Sequence, residues 1–576
     1  MIFLDVETDG LNATKIWMAV TRCAASSEVV VHWSAETLIE VLNKADKIIG
    51  HNLIGFDVPV LKFLWGVDIP EEKVIDTLVL SRLLDPQLKG HSLEKWGERL
   101  GFPKGDHSEW HQYSKEMEEY CIRDTEVNQK TYEHLIAALE RIGCSKQAIE
   151  MEHKVQFIIQ QQVRNGWKFN EEKAYCLLAE LREKLFDLED EVRQTFKPLA
   201  TYVKEVKPKI KKDGSTSIVG LKFLGDSWTT VEGPFSRIDF PPFNLGSRQQ
   251  IGRYLEFFGW KPDKFTETGQ PVVDEKVLSG IKNIPEALLI SDYLMVQKRI
   301  AQVQSWVDAL SITTGRVHGK VNPCGTLTYR MSHSKPNLAQ VPAGHSPYGE
   351  QCRELWTVEK GYKLVGCDAK ALELRILASY MEDEEFKHEV VEGDIHSTIK
   401  EILGFERRDT AKVWLYALIY GASDGRLASI FGGDYQTSTR IRERFESHFK
   451  SFGDLKEAVN SRYAGDDLSS DLTGLDGRKM QPRYDHTRLN TLIQSGGAIV
   501  MKQALIILKE YANMRNYDYK FVGNIHDEIQ AEVLESQAES FGRLAVDSIQ
   551  AAGMHFNLFC PLTGDYKIGD NWYETH

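Results

Sequence analysis

The sequence predicts an α/β protein of several domains. At 576 residues the chain is too long for one hydrophobic core and points to three or four domains. Runs of strand length meet acidic residues in three places. Met1–Val6 alternates into Asp5-x-Glu7, Leu364–Cys367 leads into Asp368, and Phe521–Val533 (FVGNIHDEIQAEV) sets Asp527 and Glu528 between two apolar runs, as at a hairpin tip. Between these lie long helical patterns, notably Gln147–Phe196 and Arg408–Tyr420.

Composition narrows the class. Apolar and charged fractions, 42% and 27%, are those of a globular protein. No run of 18 or more apolar residues appears, so no membrane span is expected. Met1–Gly10 meets an acid within five residues without a basic flank, unlike a signal peptide. The eight cysteines form no C-x-x-C pair, which argues against a zinc site or a disulfide framework and for a reducing cytoplasm. The net charge of −14 does not exclude nucleic acid, because local fields outweigh the sum and metal-binding acids count as negative until cations neutralise them.

In the first 145 residues, Asp5 and Glu7 are two apart in a strand and so share a face. Ile48–Asn52 then Phe56-Asp57 reads as strand, turn and helix, and Tyr120 and Asp124, four apart, share a helix face. Asp5, Glu7, Asp57 and Asp124 suit two Mg²⁺ ions, with Tyr120 placed to orient a water. Taken singly, each acid reads as well as a cap or a solvated charge; the order after strand, turn and helix is what carries the signal. These motifs resemble the DEDD 3′→5′ proofreading exonucleases of the Tyr-bearing subclass. The resemblance implies a ribonuclease H-like domain over 1–145 that hydrolyses a 3′-terminal nucleotide.

From Gln147 the pattern is helical, with Asn170 as an expected N-cap. Thr201–Pro242 interrupts it with Lys204, Lys207, Lys209, Lys211 and Lys212, which suit DNA phosphates or simply a solvated loop. Helical pattern resumes after Gly246-Ser247-Arg248 and continues to about Leu310.

Asp368 alone reads more readily as a helix cap than as a metal ligand. With Asp527 on a second strand it suits a pair of divalent cations about 3.5–4 Å apart. Arg408, Lys412, Tyr416 and Tyr420 recur every four residues and so line one stripe of a helix, which Asp409 or Thr410 helps to start and Gly421 ends. Two cations for a triphosphate and two rings for a base belong together chemically.

Asp368 with Glu373-Leu374-Arg375, Arg408-x-x-x-Lys412 with Tyr420-Gly421, and His526-Asp527-Glu528 resemble the three motifs of family A DNA polymerases. Asp394-Ile395-His396, Gly474–Lys479, Leu489–Ser495 and Ser346–Arg353 are similar in wording to the replicative polymerases of short-tailed T-odd phages. The resemblance implies a ribonuclease H-like exonuclease domain followed by a right-hand polymerase. Its parts would be a thumb over 146–310 with a basic insert at about 201–242, a palm over 311–380 and 490–576, and fingers over 381–489. No 5′-nuclease domain is expected ahead of it, as in that branch.

By the same resemblance Asp368 and Asp527, with Glu528 beside them, hold two Mg²⁺ per active site, Mn²⁺ being a substitute. Arg408, Lys412 and His396 grip the incoming dNTP, with Lys412 also serving catalysis, and Tyr416 and Tyr420 line its pocket. Glu373 crowds the sugar 2′ position; Arg330, Gln494 and His526 contact primer-template DNA. Tyr416, where relatives with Phe exclude dideoxynucleotides, implies that chain terminators are accepted. Implied partners are a phage helicase-primase and a single-strand binding protein, in the cytoplasm of an infected bacterial host. Host thioredoxin stays open as a processivity factor, because the insert is shorter than the thioredoxin-binding one of the best-known relatives. Ala369-Lys370-Ala371 departs from the Tyr-Ser-Gln that many members carry after the first acid. Two competing readings remain: a single-subunit RNA polymerase, against which Glu373 and the exonuclease motifs count, and a replisome-binding factor without synthesis, which no missing carboxylate supports.

Overall fold

The computed structural model describes every residue except 208, 216–233 and 462–471, and at 275, 276 and 461 the backbone alone. The chain forms two compact units, Met1–Asn170 with Ala309–His576, and Glu171–Asp308.

The first unit opens with strands β1 (Ile2–Thr8), β2 (Ile16–Cys23), β3 (Val29–His32), β4 (Ile48–Gly50) and β5 (Val74–Asp76), in sheet order β3-β2-β1-β4-β5. β1 pairs antiparallel with β2 and parallel with β4. Ile2, Leu4 and Val6 enter one core with Leu38, Leu42 and Leu53. Asp5 and Glu7 alternate to the other face, opposite Val20 and Met18. Met18 and Val20 pack there with Met117 and Cys121, so this is the face that the helix carrying Tyr120 covers. The helices that matter for function are α1 (Asp57–Val60), α2 (Thr77–Leu84), α3 (Lys115–Arg141) and α4 (Lys146–Asn165). Ser114 and Ser145 cap α3 and α4 by accepting from the Met117 and Ala148 amides at 3.1 and 3.0 Å.

The second unit pairs two long helices, α5 (Glu171–Thr195) and α7 (Pro285–Asp308), with α6 (Arg248–Phe257) between them in sequence. Strands β6 (Thr201–Val206) and β7 (Phe235–Asp239) form an antiparallel ribbon. Within the predicted basic insert, Lys204, Lys207, Lys209, Lys211 and Lys212 are exposed, while 208 and 216–233 lie outside the described residues.

The C-terminal part of the first unit is built on strands β8 (Tyr362–Ala369), β9 (Tyr519–Ile525), β10 (Glu528–Leu534) and β11 (Gly564–Gly569), in order β9-β10-β8-β11. Its antiparallel register sets Asp368 opposite Glu528 on one side and Asp565 on the other. The helices are α8 (Leu372–Met381), α9 (Ile395–Leu403), α10 (Arg408–Ile419), α11 (Arg488–Met514) and α12 (Ala538–His555). Among the described residues the stretch Asp485–Met514 is long and apolar enough to cross a membrane, although it contains no unbroken apolar run of 18 residues; 78% of its apolar window is buried inside the fold, as in a core helix.

Candidate active sites

Two clusters of carboxylates stand at the lips of two sheets, the five-stranded one and β9-β10-β8-β11. In the first, Asp76 organises the loop ahead of α1. Its carboxylate accepts from the amides of Asn52, Ile54 and Leu78 at 2.8, 3.0 and 2.9 Å. Asn52 takes the left-handed conformation, φ 60°, that this tight turn needs. Asp57 then begins α1 beside Asp5, and α3 brings Asp124 and Tyr120 to the same place.

The electrostatics follow from packing acids together out of water. Burial and the fields of Asp5, Asp124 and Asp57 push the Glu7 carboxyl up to about 10. Asp124 is pushed up to about 7, by burial first and then by Asp5, and Asp57 is raised well above the carboxylate range by burial and Asp5. Asp5 is also raised by burial, against the pull of Lys104 and a hydrogen bond from the Cys121 thiol, Sγ to Oδ2 at 3.3 Å. Such a group of acids favours a cation. Oxygen atoms of Asp5 and Glu7 lie within 4.8 Å of each other and of the Cys121 sulfur, so the first pair of predicted ligands fits a metal ion. Hard divalent cations take the oxygens and leave the thiol, which burial holds protonated.

The second cluster follows from the hairpin β9–β10. His526 and Asp527 form its turn, with His526 at φ 57°, and the Ala369 amide donates to the Asp527 carbonyl at 3.1 Å. This ties the turn to the end of β8, where Asp368 sits. The Asp368 carboxyl, open at its tip but walled by the sheet, is pushed up to about 7 by shielding from solvent and by Asp527, Glu528 and Asp565. Asp527 is raised by burial and Glu373, while Arg330 and His526 oppose the shift. Glu528 is more deeply placed. Its oxygens accept from Trp572 Nε1 at 3.0 Å, from His576 Nδ1 at 2.9 Å and from Gln530 Nε2. Those bonds hold the strand pair under Asp368 and leave Asp368 and Asp527 as the freer oxygen donors.

Ala371, at φ 50°, turns the chain from β8 into α8 and so carries Glu373 to the cleft. Glu373 accepts from Arg330 Nη2 and from the Tyr420 hydroxyl, both at 2.7 Å. Tyr416 lies 6.2 Å from Tyr420, ring to ring, and its hydroxyl is pushed up to about 12 by burial, Glu373 and Asp527. Arg408 forms a two-toothed pair with Asp394 at 2.6 and 2.9 Å, and Asp394 caps α9. That clip joins the N-termini of α9 and α10, bringing His396 into the fields of Arg408 and Lys412, which with burial lower its pKa. Helix α10 starts after Arg407, which gives no side-chain cap, and Asp409 stands in its first turn, where an acid helps to start it. Tyr420 is the residue just past α10 rather than part of its stripe, yet its ring stays beside Tyr416. Gly421 has φ 76°, and a Cβ there would meet the His486 carbonyl at 2.2 Å, so only glycine ends the helix this way. A cleft of about 1140 Å³ opens along this helix, lined by Lys412, Tyr416, Tyr420, Arg426, Lys456 and His486.

The model of DNA polymerase family A matches residues 224–574. The chain belongs to DNA polymerase family A. It is a DNA-directed DNA polymerase with the mixed α/β fold expected of that family. It is 30% identical to the DNA-directed DNA polymerase of Enterobacteria phage T3, with 92% of each chain covered. It is 29% identical to that of Escherichia phage T7, with both chains covered in full. Among solved structures, the polymerase domain of Pol1 from M. smegmatis, in complex with DNA primer-template and dNTP, overlays with a TM-score of 0.79 at 17% identity, covering 100% of this chain and 96% of that one.

In the polymerase, Asp5, Glu7, Asp57, Asp124 and Tyr120 come together in one place; Asp368, Asp527, Glu373, Tyr416, Tyr420 and Arg330 come together in another. Gln494 lies half-buried on α11, and His526 is exposed at the hairpin turn. Lys104 was not expected. Its ammonium sits 2.5 Å from Asp124 and 4.8 Å from the centre of the Tyr120 ring. A lone lysine in the loop Gly101–Gly105 has no spacing that would announce it.

Proposed function

We propose that this polymerase adds deoxynucleotides to a primer 3′ end by two-metal phosphoryl transfer, and that its N-terminal α/β segment is a 3′→5′ proofreading exonuclease. The observation that carries this is the pair of separate acid clusters, only one of which faces a helix bearing Arg408, Lys412, Tyr416 and Tyr420. Asp368 and Asp527 would hold two Mg²⁺, or Mn²⁺, in the palm, and Asp5, Glu7, Asp57 and Asp124 the exonuclease ions. Bound there, the ions would acidify the attacking oxygen and neutralise the leaving group. Arg408, Lys412 and His396 bind the triphosphate in this reading and fix it in line for attack. Lys412 is exposed and so is free to swing onto phosphate, whereas Arg408 must first leave Asp394. Tyr416 and Tyr420 stack against the base, and Glu373, held by Arg330 and Tyr420, stands where a 2′-hydroxyl would fall. Gln494, Arg330 and His526 line the primer-template path. At the other site Tyr120 orients the attacking water.

In this reading residues 1–145 are the exonuclease, 146–310 the thumb, 311–380 and 490–576 the palm, and 381–489 the fingers. The likeness to the T3 and T7 enzymes supports replication of phage DNA inside a bacterial host, with a helicase-primase and a single-strand binding protein as partners.

Purified protein with primer-template, Mg²⁺ and either dNTPs or rNTPs tests the reading. Deoxynucleotides should be strongly preferred; preference for ribonucleotides would indicate an RNA polymerase, and no incorporation a replisome-binding factor. Dideoxynucleotides should be accepted by the wild type and discriminated against by Tyr416→Phe by about 10²-fold or more, a hydroxyl-dependent selectivity of the kind polar pockets achieve. Equal rejection by both variants would remove Tyr416 from the nucleotide pocket.

The exposed lysines of the β6–β7 ribbon support contact with DNA phosphates, with host thioredoxin as the other candidate partner. On a long primed template with a DNA trap, a direct role predicts long products from the polymerase alone, and shorter ones once those lysines are replaced. Long products only on adding thioredoxin would make the ribbon a protein-docking element.

A further inference from the structure

We propose that Tyr329 is a positioning residue for nucleotide selection, anchoring Arg330 and through it Glu373 to helix α2 of the N-terminal segment. Tyr329 adopts φ 57°, a left-handed conformation that suits glycine and is strained for an aromatic residue. Its side chain must therefore be held, and the structure holds it on every side. Only 1% of the residue is exposed. Its hydroxyl is shared between two carbonyls, Leu83 at the end of α2 (2.9 Å) and Lys479 (3.1 Å). The ring packs with Leu80, Leu83, Met480 and Leu492, a core common to the N-terminal segment and the polymerase half.

Beneath the ring, 4.7 Å away, lies the guanidinium of Arg478. Arg478 is wholly buried and pairs with Asp476 and with Glu152 on α4, each at 2.6 Å. Glu152 also binds Lys502 of α11 at 2.6 Å. The turn carrying Arg478 is itself tied to the start of α4, since the Ser145 amide donates to the Gly477 carbonyl at 3.2 Å. Tyr329 thus stands on a rigid ionic post that joins three parts of the chain.

The next residue faces the site. The Arg330 amide donates to Thr326 Oγ1 at 3.0 Å, and that hydroxyl donates back to the Arg330 carbonyl at 3.2 Å, closing a small loop. From this loop Arg330 reaches Glu373, which also binds Tyr420. One unbroken series of contacts therefore runs from the Leu83 carbonyl through Tyr329 and Arg330 to Glu373 and the end of α10. Glu373 has two holders. Tyr420 lies at the end of α10, beside the residues proposed to bind the triphosphate; the other, Arg330, is fixed by Tyr329.

The inference rests on the proposed roles of Arg330 and Glu373, so three variants are compared. Tyr329→Gly relieves the backbone and removes the anchor; Tyr329→Phe keeps the ring on Arg478 and removes the hydroxyl bonds; Arg330→Ala removes the contact to Glu373. Each is measured for dNTP KM and kcat, for the ratio of deoxy- to ribonucleotide incorporation, and for melting temperature. Tyr329→Gly should raise the dNTP KM and lower the sugar discrimination by about tenfold each with kcat little changed, and Tyr329→Phe by roughly threefold, as loose positioning predicts. A folded Tyr329→Gly with unchanged KM and discrimination overturns the proposal. So does a uniform fall in kcat that tracks the melting temperature, which is what mere packing would give. If Tyr329→Gly does not fold, Tyr329→Phe decides by the same two criteria. An Arg330→Ala variant with unaltered KM and discrimination would show instead that the site assignment itself is at fault.

Discussion

Asp527→Ala should abolish primer extension, by about 10³-fold or more, and leave degradation of single-stranded DNA intact. The large factor follows from what the position does. Asp527 sits in the two-residue turn between β9 and β10, whose backbone is fixed to the end of β8, so its carboxylate acts directly on that of Asp368. In the proposed two-metal reading, removing one of the two halves the ligand set for the cations. Glu528 does not substitute, because its oxygens are engaged by Trp572, His576 and Gln530. In the same reading degradation survives, because Asp5 and Glu7 stand on a different sheet as a metal-fitting donor pair of their own. Asp5→Ala with Glu7→Ala should do the converse. Loss of both activities in a folded Asp527→Ala protein would contradict two independent sites.

The acids were legible in the sequence because each obeys a short-range rule. Asp5 and Glu7 follow the period of a strand, Tyr120 and Asp124 that of a helix, and Asp527 the grammar of a hairpin. The rows of β8 and β10 were legible for the same reason. What escaped was whatever depends on contacts between distant segments. Lys104 meets Asp124 only because its loop folds back on α3, where Arg123 donates to the Pro103 carbonyl at 3.1 and 3.0 Å. Arg408 reads from its spacing as a phosphate ligand, and the structure shows it shared with Asp394, fourteen residues earlier. Tyr329 reads only as the middle of Thr328-x-Arg330; its conformation and the buried Glu152–Arg478–Asp476 group beneath it have no local signature. The stripe from Arg408 to Tyr420 shows the same boundary. Periodicity located its members, but the helix ends one residue before Tyr420 because Gly421 must pass the His486 carbonyl.

Asp57→Asn should remove single-strand degradation by about 10³-fold and, in EDTA, make the protein more stable rather than less. Asp57 is 4% exposed, and burial together with Asp5 raises its carboxyl well above the ordinary range. A raised acid binds its proton more tightly folded than unfolded, so its cost is absent below the unfolded value near pH 4. The cost grows as pH rises toward the folded value. The acids around it titrate as a group, with Asp124 at about 7 and Glu7 at about 10, so removing one charge also relieves Asp5. The amide is close to the same shape and carries no charge. The melting temperature of Asp57→Asn in EDTA should therefore exceed the wild type's by about 1–2 °C at pH 8, the scale of about 1–2 kcal/mol in a unit as large as Met1–Asn170 with Ala309–His576, with the gap closing toward pH 5. Added Mg²⁺ should raise the wild type more than the variant, because Asp368 and Asp527 are present in both while only the wild type keeps all four N-terminal acids for the ions. A gap that is independent of pH, or a variant less stable than wild type at pH 8 without metal, would mean that packing around Asp57 outweighs its charge.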